Sequence, residues 1–278
     1  MKLPFRNCCA ALPLLLLACF SAPIALFAQD NGIIPNGKIL YISREFTKPG
    51  KDGTPHQMTE AAYLRAEAAS KVSPHYLAAV ALSGPSRALF MYSYPSFAAM
   101  EAQHLKQVAD TTLTAATDRA SAADGDLLSE TDSSIWMMRD ELSLNPGFRA
   151  GAKLEEVTQF AVRPGHGSEW EKLVKLVIEG YKKGVPDAHW AMYQEAYGTP
   201  GGRYLVLTTL KSAADLDAEF ASNKQFVEAM GEDGMKKLEE LEAACVEARQ
   251  DNLFVFDPKM SYPPEAIMKA DPDFWKQK

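Results

Sequence analysis

The chain has 278 residues, 47% of them apolar and 23% charged, with 29 basic against 36 acidic side chains and a formal net charge of −7. That length suits one large domain or two of ordinary size, and the balance is that of a globular protein. An acidic chain without a basic cluster is a poor match for nucleic acid or anionic lipid surfaces, and no nucleic-acid partner is expected.

The first 28 residues stand apart. Lys2 and Arg6 precede an apolar run from Cys8 to Phe20, broken only by Pro13, and small residues recur up to Ala28. This pattern predicts a secretory signal peptide cut after Ala28, and a periplasmic or extracellular protein. The run is short for a membrane span. Leu16-Leu17-Ala18-Cys19 also has the form of a lipoprotein box, a minor alternative because the residues after Cys19 stay apolar. Cleavage removes Cys8, Cys9 and Cys19, so Cys245 is left with no intrachain disulfide partner. It also removes Lys2 and Arg6, leaving 27 basic against 36 acidic residues, a net charge of −9.

Residues 29–37 read as a flexible lead-in. Lys38 to Phe46 is β-rich and predicts a strand. Lys48-Pro49-Gly50 forms a turn, and Thr54 with Gln57 makes a capping box opening a helix from Pro55 to Val72. Strands follow from His75 to Leu82 and from Arg87 to Tyr94, about a Gly84-Pro85-Ser86 turn. A long helical region runs from Phe97 to Ala123. A polar break at Asp124-Gly125-Asp126 then precedes a fourth strand, Ile135 to Leu142.

The second half repeats this β-α-β-β-α-β order. Leu154 to Val162 is strand, Arg163-Pro164-Gly165 a turn, and Ser168 with Glu171 a second capping box. The helix from Glu169 to Lys183 carries an apolar stripe of Trp170, Leu173, Val174, Val177 and Ile178. Strands from His189 to Tyr197 and from Arg203 to Leu210 flank a turn at residues 198–202. Ser212 caps the next helix, a further helix spans Met235 to Ala248, and Leu253 to Phe256 is the last strand. From Thr54 to His75 and from Ser168 to His189 are both 21 residues, and Leu89 to Ser96 lines up with Leu205 to Ser212. Ordered matches of this kind indicate a duplicated unit.

The predicted fold class is therefore α+β: two tandem ferredoxin-like repeats, residues 38–150 and 151–262, with antiparallel sheets packed face to face as an α/β barrel. The strands carry too many apolar residues for either sheet to leave its bare face in water. Residues 263–278 form a tail docked on the surface. By this topology and spacing, the stretch from Lys38 to Tyr262 resembles the dimeric α/β-barrel superfamily in tandem, single-chain form. That superfamily includes antibiotic-biosynthesis-type monooxygenases, NIPSNAP-like proteins, haem-degrading enzymes and chlorite dismutases. No catalytic motif of any one branch is present, so the resemblance implies a fold and carries over no active-site residue.

Alternation places His189, Tyr193 and Glu195 on one strand face and Trp190, Met192 and Gln194 on the other. If the first face lines a lumen, it offers a base, a phenol and a carboxylate for catalysis around one cavity. Arg44, His75 and Trp190 are the candidate ligand-binding residues, the last two from paired strand openings. The competing reading is a solvated face on which each strand-opening histidine only bonds a loop. His56, His104 and His166 show no metal spacing, so no metal site is assigned. The cofactor stays unassigned; for haem, the axial donors on offer are His75, His104 and His189. Thr199-Pro200-Gly201-Gly202 precedes no helix and is a hairpin turn rather than a phosphate loop, and Cys245 is a buried structural thiol.

Two functions compete. One is an exported protein, monomer or homodimer, that binds a small apolar or aromatic ligand between its sheets. The other is a cofactor-independent monooxygenase or isomerase using lumen His, Tyr and Glu, with haem binding as a further alternative. A lumen packed by Tyr41, Phe90, Tyr92, Met137 and Phe254 favours the first.

Overall fold

Ten strands and seven helices are found among the described residues, which in the computed structural model are 33–70 and 72–276. The expected signal peptide lies outside them. In chain order the elements are β1 (Ile33–Ile34), β2 (Ile39–Thr47), α1 (Thr54–Ala69), β3 (Tyr76–Ala81), β4 (Arg87–Tyr94), α2 (Phe97–Ala109), α3 (Thr111–Gly125) and β5 (Leu128–Met138). After β6 (Phe148–Arg149) come β7 (Leu154–Val162), α4 (Gly167–Gly184), β8 (Ala191–Tyr197), β9 (Arg203–Leu210), α5 (Ala213–Cys245) and β10 (Val246–Phe256). Two short helices, α6 (Glu265–Ala270) and α7 (Pro272–Trp275), end the fold.

Eight of the strands form one closed antiparallel barrel in the order β10-β3-β4-β2-β5-β8-β9-β7, with β7 pairing back onto β10. Each half contributes its strands in the order second, third, first, fourth. The registers agree as well: Arg44 faces Leu89 across β2–β4, and Gln159 faces Leu205 across β7–β9, in each case the sixth residue of one strand against the third of the other. Leu89 and Leu205 are buried in a single core cluster. The halves are also joined at both edges, through β5–β8 and β10–β3, so the wall is continuous.

The Pro-Gly turns of the sequence hold their glycines in the left-handed region, Gly50 at φ 75° and Gly165 at φ 86°, where a side chain would be strained. The expected capping boxes do not form. Neither Thr54 nor Ser168 caps its helix; Gln57 donates to Asp257 Oδ2 at 2.8 Å, and Glu171 accepts from Arg139 at 2.7 Å. Tertiary partners thus take the side chains that local capping needed. The long helical region divides at Asp110, whose carboxylate accepts from the Leu113 amide and starts α3.

β5 and β10 both begin well before the expected positions, Ile135 and Leu253. Their first halves, Leu128–Ser134 and Val246–Asn252, are mostly exposed and polar, so no apolar alternation marks them. They are strands because β2 and β7 pair with them along their whole length.

Inward-facing Ile42, Leu89, Trp136, Val157, Leu205 and Phe254 pack the lumen. Of the expected lumen fillers only Phe254 points there. Phe90 and Tyr92 belong to a cluster on the outer face with Leu64 of α1, Tyr41 meets Tyr92 edge-on at 5.8 Å, and Met137 is 40% exposed. On the second half α4 and α5 cover the sheet with Trp170, Val174, Ile178, Leu241 and Cys245. The tail goes deeper than a surface dock: Ile267 and Trp275 are buried in the lumen cluster, Trp275 lying 5.9 Å from Phe256 and 6.4 Å from Phe148.

Candidate functional site

The barrel keeps a cavity at each end, and their chemistry differs. The first, of about 440 Å³, lies where β2 and β7 begin and β4 and β9 end. Leu40, Leu77, Met91, Phe148, Leu207 and Ile267 make it largely apolar. Glu155, the second residue of β7, projects into it because alternation sets it on the face of Val157. Glu155 is 5% exposed, and its Oε2 has no hydrogen-bond partner. Burial pushes this carboxyl up to about 8. Near neutral pH it is therefore mostly a neutral acid able to donate a hydrogen bond, and it titrates where a general base would. Tyr193 shares the cavity, its hydroxyl donating to the Gly37 carbonyl at 3.2 Å and its phenol pKa raised by burial.

The opposite cavity, of about 390 Å³, is cationic, with Arg44, Arg87 and Arg203 in its wall and Asp132 as its carboxylate. Arg44 pairs with Asp132 and donates to Ser134 Oγ at 2.8 Å. Arg87 donates to the Pro85 carbonyl at 2.9 Å and lies 4.9 Å over the Phe254 ring. Burial and the nearby Arg44 charge lower its pKa. Among the described residues neither Arg87 nor Arg203 has a carboxylate at ion-pair distance, so this end attracts anions.

The sequence-predicted set is divided by this geometry. Tyr193 and His75 border the first cavity. His75 is exposed at the rim, its ring stacked on Tyr262 at 4.4 Å. His189 precedes β8 and turns away to a surface pocket with Arg149 and Asp187; its Nε2 donates to the Thr209 carbonyl at 2.9 Å, and burial lowers its pKa. Glu195 accepts from the Gly202 amide at 2.7 Å in the β8–β9 turn. Trp190 lies under the helix layer and donates to the Leu142 carbonyl at 3.0 Å. Arg44 is at the cationic end. His189, Tyr193 and Glu195 thus do not meet around one cavity, because the loop before β8 and the turn after it each claim one of them. Glu155 was within reach of the pattern, as one of two adjacent carboxylates in a correctly bounded strand, but alternation does not say which face is enclosed.

A haem would need an axial imidazole in the lumen. His104 lines a space outside the barrel, His189 is turned to Thr209, and His75 lies flat on Tyr262, so the donor set does not fit one.

No family model and no curated protein matches the chain. Among solved structures, a Fusobacterium nucleatum subsp. nucleatum protein provisionally named a monooxygenase aligns with a TM-score of 0.51 at 10% identity, over 78% of this chain and 91% of its own. A Lactobacillus acidophilus protein named in the same way gives 0.49 at 7% identity, over 79% and 94%. A chlorite dismutase variant from Candidatus Nitrospira defluvii gives 0.48 at 9%, over 85% and 96%. At 10% identity the likeness to the Fusobacterium protein is one of fold alone.

Proposed function

We propose that the chain is an exported binding protein built from two tandem ferredoxin-like units, which holds a small apolar or aromatic ligand in the Glu155 end of the lumen. The carrying observation is Glu155: a carboxyl 5% exposed, with one oxygen unpartnered, in the wall of a largely apolar cavity. A buried polar atom left unpaired is costly, and a ligand bearing one hydrogen-bonding group would satisfy it while its body displaces water from Met91 and Leu207. Export rests on the first 28 residues, and N-terminal sequencing should begin at Gln29; a chain starting at acylated Cys19 would replace secretion by lipid anchoring. No helix among the described residues is long and apolar enough to cross a membrane.

Binding is tested by native mass spectrometry of the purified protein and by titration with 1-naphthol, read through tryptophan fluorescence. Saturable binding that Leu207→Trp abolishes by filling the cavity supports the reading. Failure of the protein to retain any small molecule, together with no response to the probe, sinks it. A second reading, proton-transfer catalysis of the isomerase or cofactor-independent oxygenase kind, is favoured by the same carboxyl because its pKa lies near neutrality. Glu155→Gln separates the two: it should preserve binding if Glu155 only holds ligand by donation, and should remove turnover if Glu155 is the base.

A further inference from the structure

The helix layer over the first four strands contains a polar cluster that the lumen does not explain. Glu45 points outward from β2, His56 and Glu60 lie one turn apart on α1, and Asp124 is at the end of α3. One ligand-type atom from each of the four lies within 4.8 Å of those of the other three. His56 Nε2 is 3.0 Å from Glu45 Oε2 and 3.7 Å from Asp124 Oδ1. The Thr59 hydroxyl donates to Asp124 Oδ1 and orients that carboxylate.

We propose that Glu45, His56, Glu60 and Asp124 bind one divalent first-row transition cation, of the Mn²⁺, Fe²⁺ or Zn²⁺ kind. Burial is the first support. His56, Glu60 and Asp124 are 4%, 6% and 3% exposed, and among the described residues no lysine or arginine pairs with any of the four. Asp124 Oδ2 is buried with no partner, and a Glu60 carboxylate oxygen lies within the cluster. The four ligand-type atoms converge in a pocket of the fold that no lysine or arginine enters among the described residues.

Comparison with the second half is the next support. Glu45 is the seventh residue of β2, and Phe160 is the seventh of β7. His56 and Glu60 stand two and six residues after Thr54; Trp170 and Val174 stand two and six after Ser168. The same framework therefore closes with Phe160 against Trp170, so the fold itself does not call for acids here. Access is the third. Glu45, Glu60 and Asp124 border a space of about 870 Å³ between sheet and helices, roomy enough for water ligands to complete a coordination shell. The donor set decides the class. Calcium and magnesium favour oxygen-only shells, an imidazole shifts preference to later metals, and the absence of a thiolate among the four removes Cu⁺.

The full chain, stripped with chelator, is titrated calorimetrically with MnCl₂, ZnCl₂, CaCl₂ and MgCl₂, and its melting temperature is followed. One equivalent of Mn²⁺ or Zn²⁺ should bind and raise the melting temperature. Glu60→Gln should weaken binding more than about tenfold, and Glu228→Gln, on the exposed face of α5, should leave it unchanged. Asp124→Asn takes over the test if Glu60→Gln fails to fold. Absence of saturable binding by any of the four cations overturns the site, as does binding that both variants leave intact. Calcium binding more tightly than manganese overturns the assigned class.

Discussion

Beneath α4, Phe160 and Trp170 lie with ring centroids 4.9 Å apart, and Val174 packs one turn further along. At the same places in the first half stand Glu45, His56 and Glu60. The surroundings follow suit. Five residues of α4 are buried and its apolar stripe is continuous, whereas the three that α1 buries are His56, Glu60 and Glu67, and a space of about 870 Å³ remains over the first sheet. One backbone plan thus carries a dry, packed layer on one side and a polar, open one on the other. The barrel wall is common to both, and the apolar cover of the first half is the smaller Tyr76–Phe90 cluster with Leu64 of α1.

The largest test of that division is Trp170→Ala. Removing a fully buried tryptophan from the Phe160–Tyr204 cluster should cost about 3–5 kcal/mol in urea unfolding. His56→Ala, measured with chelator present, should cost far less. Equal losses would mean that both layers bear the fold alike.

The next effect concerns the lumen and depends on pH. Glu155 is held near 8 in the fold against an ordinary value of 4.5. Below 4.5 both folded and unfolded states carry the proton, and burial costs nothing extra. Between 4.5 and 8 the unfolded chain releases a proton that the folded state keeps, so stability falls as pH rises, by up to about 1.4 kcal/mol per unit. Above 8 the loss levels off. Glu155→Gln should remove this component of the slope. Unfolding measured from pH 4 to 9 would give parallel curves for the two proteins if Glu155 were solvated.

A smaller gain is expected from giving the first half the second half's residue. Glu60→Val, with chelator present, should stabilise by about 1–2 kcal/mol, since it takes one acid out of a buried cluster whose sole basic side chain, among the described residues, is His56. A loss of stability in that state would show that Glu60 is already well satisfied without a cation.

The wall of the barrel was open to sequence reading because both faces of its strands are apolar in a repeating pattern. β4, β7 and β9 fall on the bounds that pattern gives. The polar starts of β5 and β10 carry no such signal, and their assignment comes only from pairing with β2 and β7. Site residues were harder to read for a related reason. Period two groups His189, Tyr193 and Glu195, yet a β9 carbonyl and a turn amide draw off the first and last. The Glu45–Asp124 cluster joins residues from β2, α1 and α3; its local trace is only His56 and Glu60 four apart on one helix, beside an acid at the end of another. What marks it is the break in the repeat, where acids and a histidine replace Phe160, Trp170 and Val174.

The finest test of the two layers is their mobility. In α2, Leu105 and Val108 are 61% and 58% exposed and no residue is buried, so few contacts resist its local opening. Leu105→Gln should therefore change stability by no more than about 0.5 kcal/mol. Val174→Gln, which buries an amide under α4, should cost about 2 kcal/mol or more. Native-state hydrogen exchange gives the same contrast without mutation. Amides of α2 should exchange through openings well below the global unfolding free energy, and those in the middle of α4 only through global unfolding. Binding of a cation at the Glu45–Asp124 cluster should slow exchange in α1 and α3, which hold its ligands, and leave α4 as it was. If α2 and α4 exchange alike in the chelated protein, the first layer is as tightly built as the second and the contrast between them has no dynamic consequence.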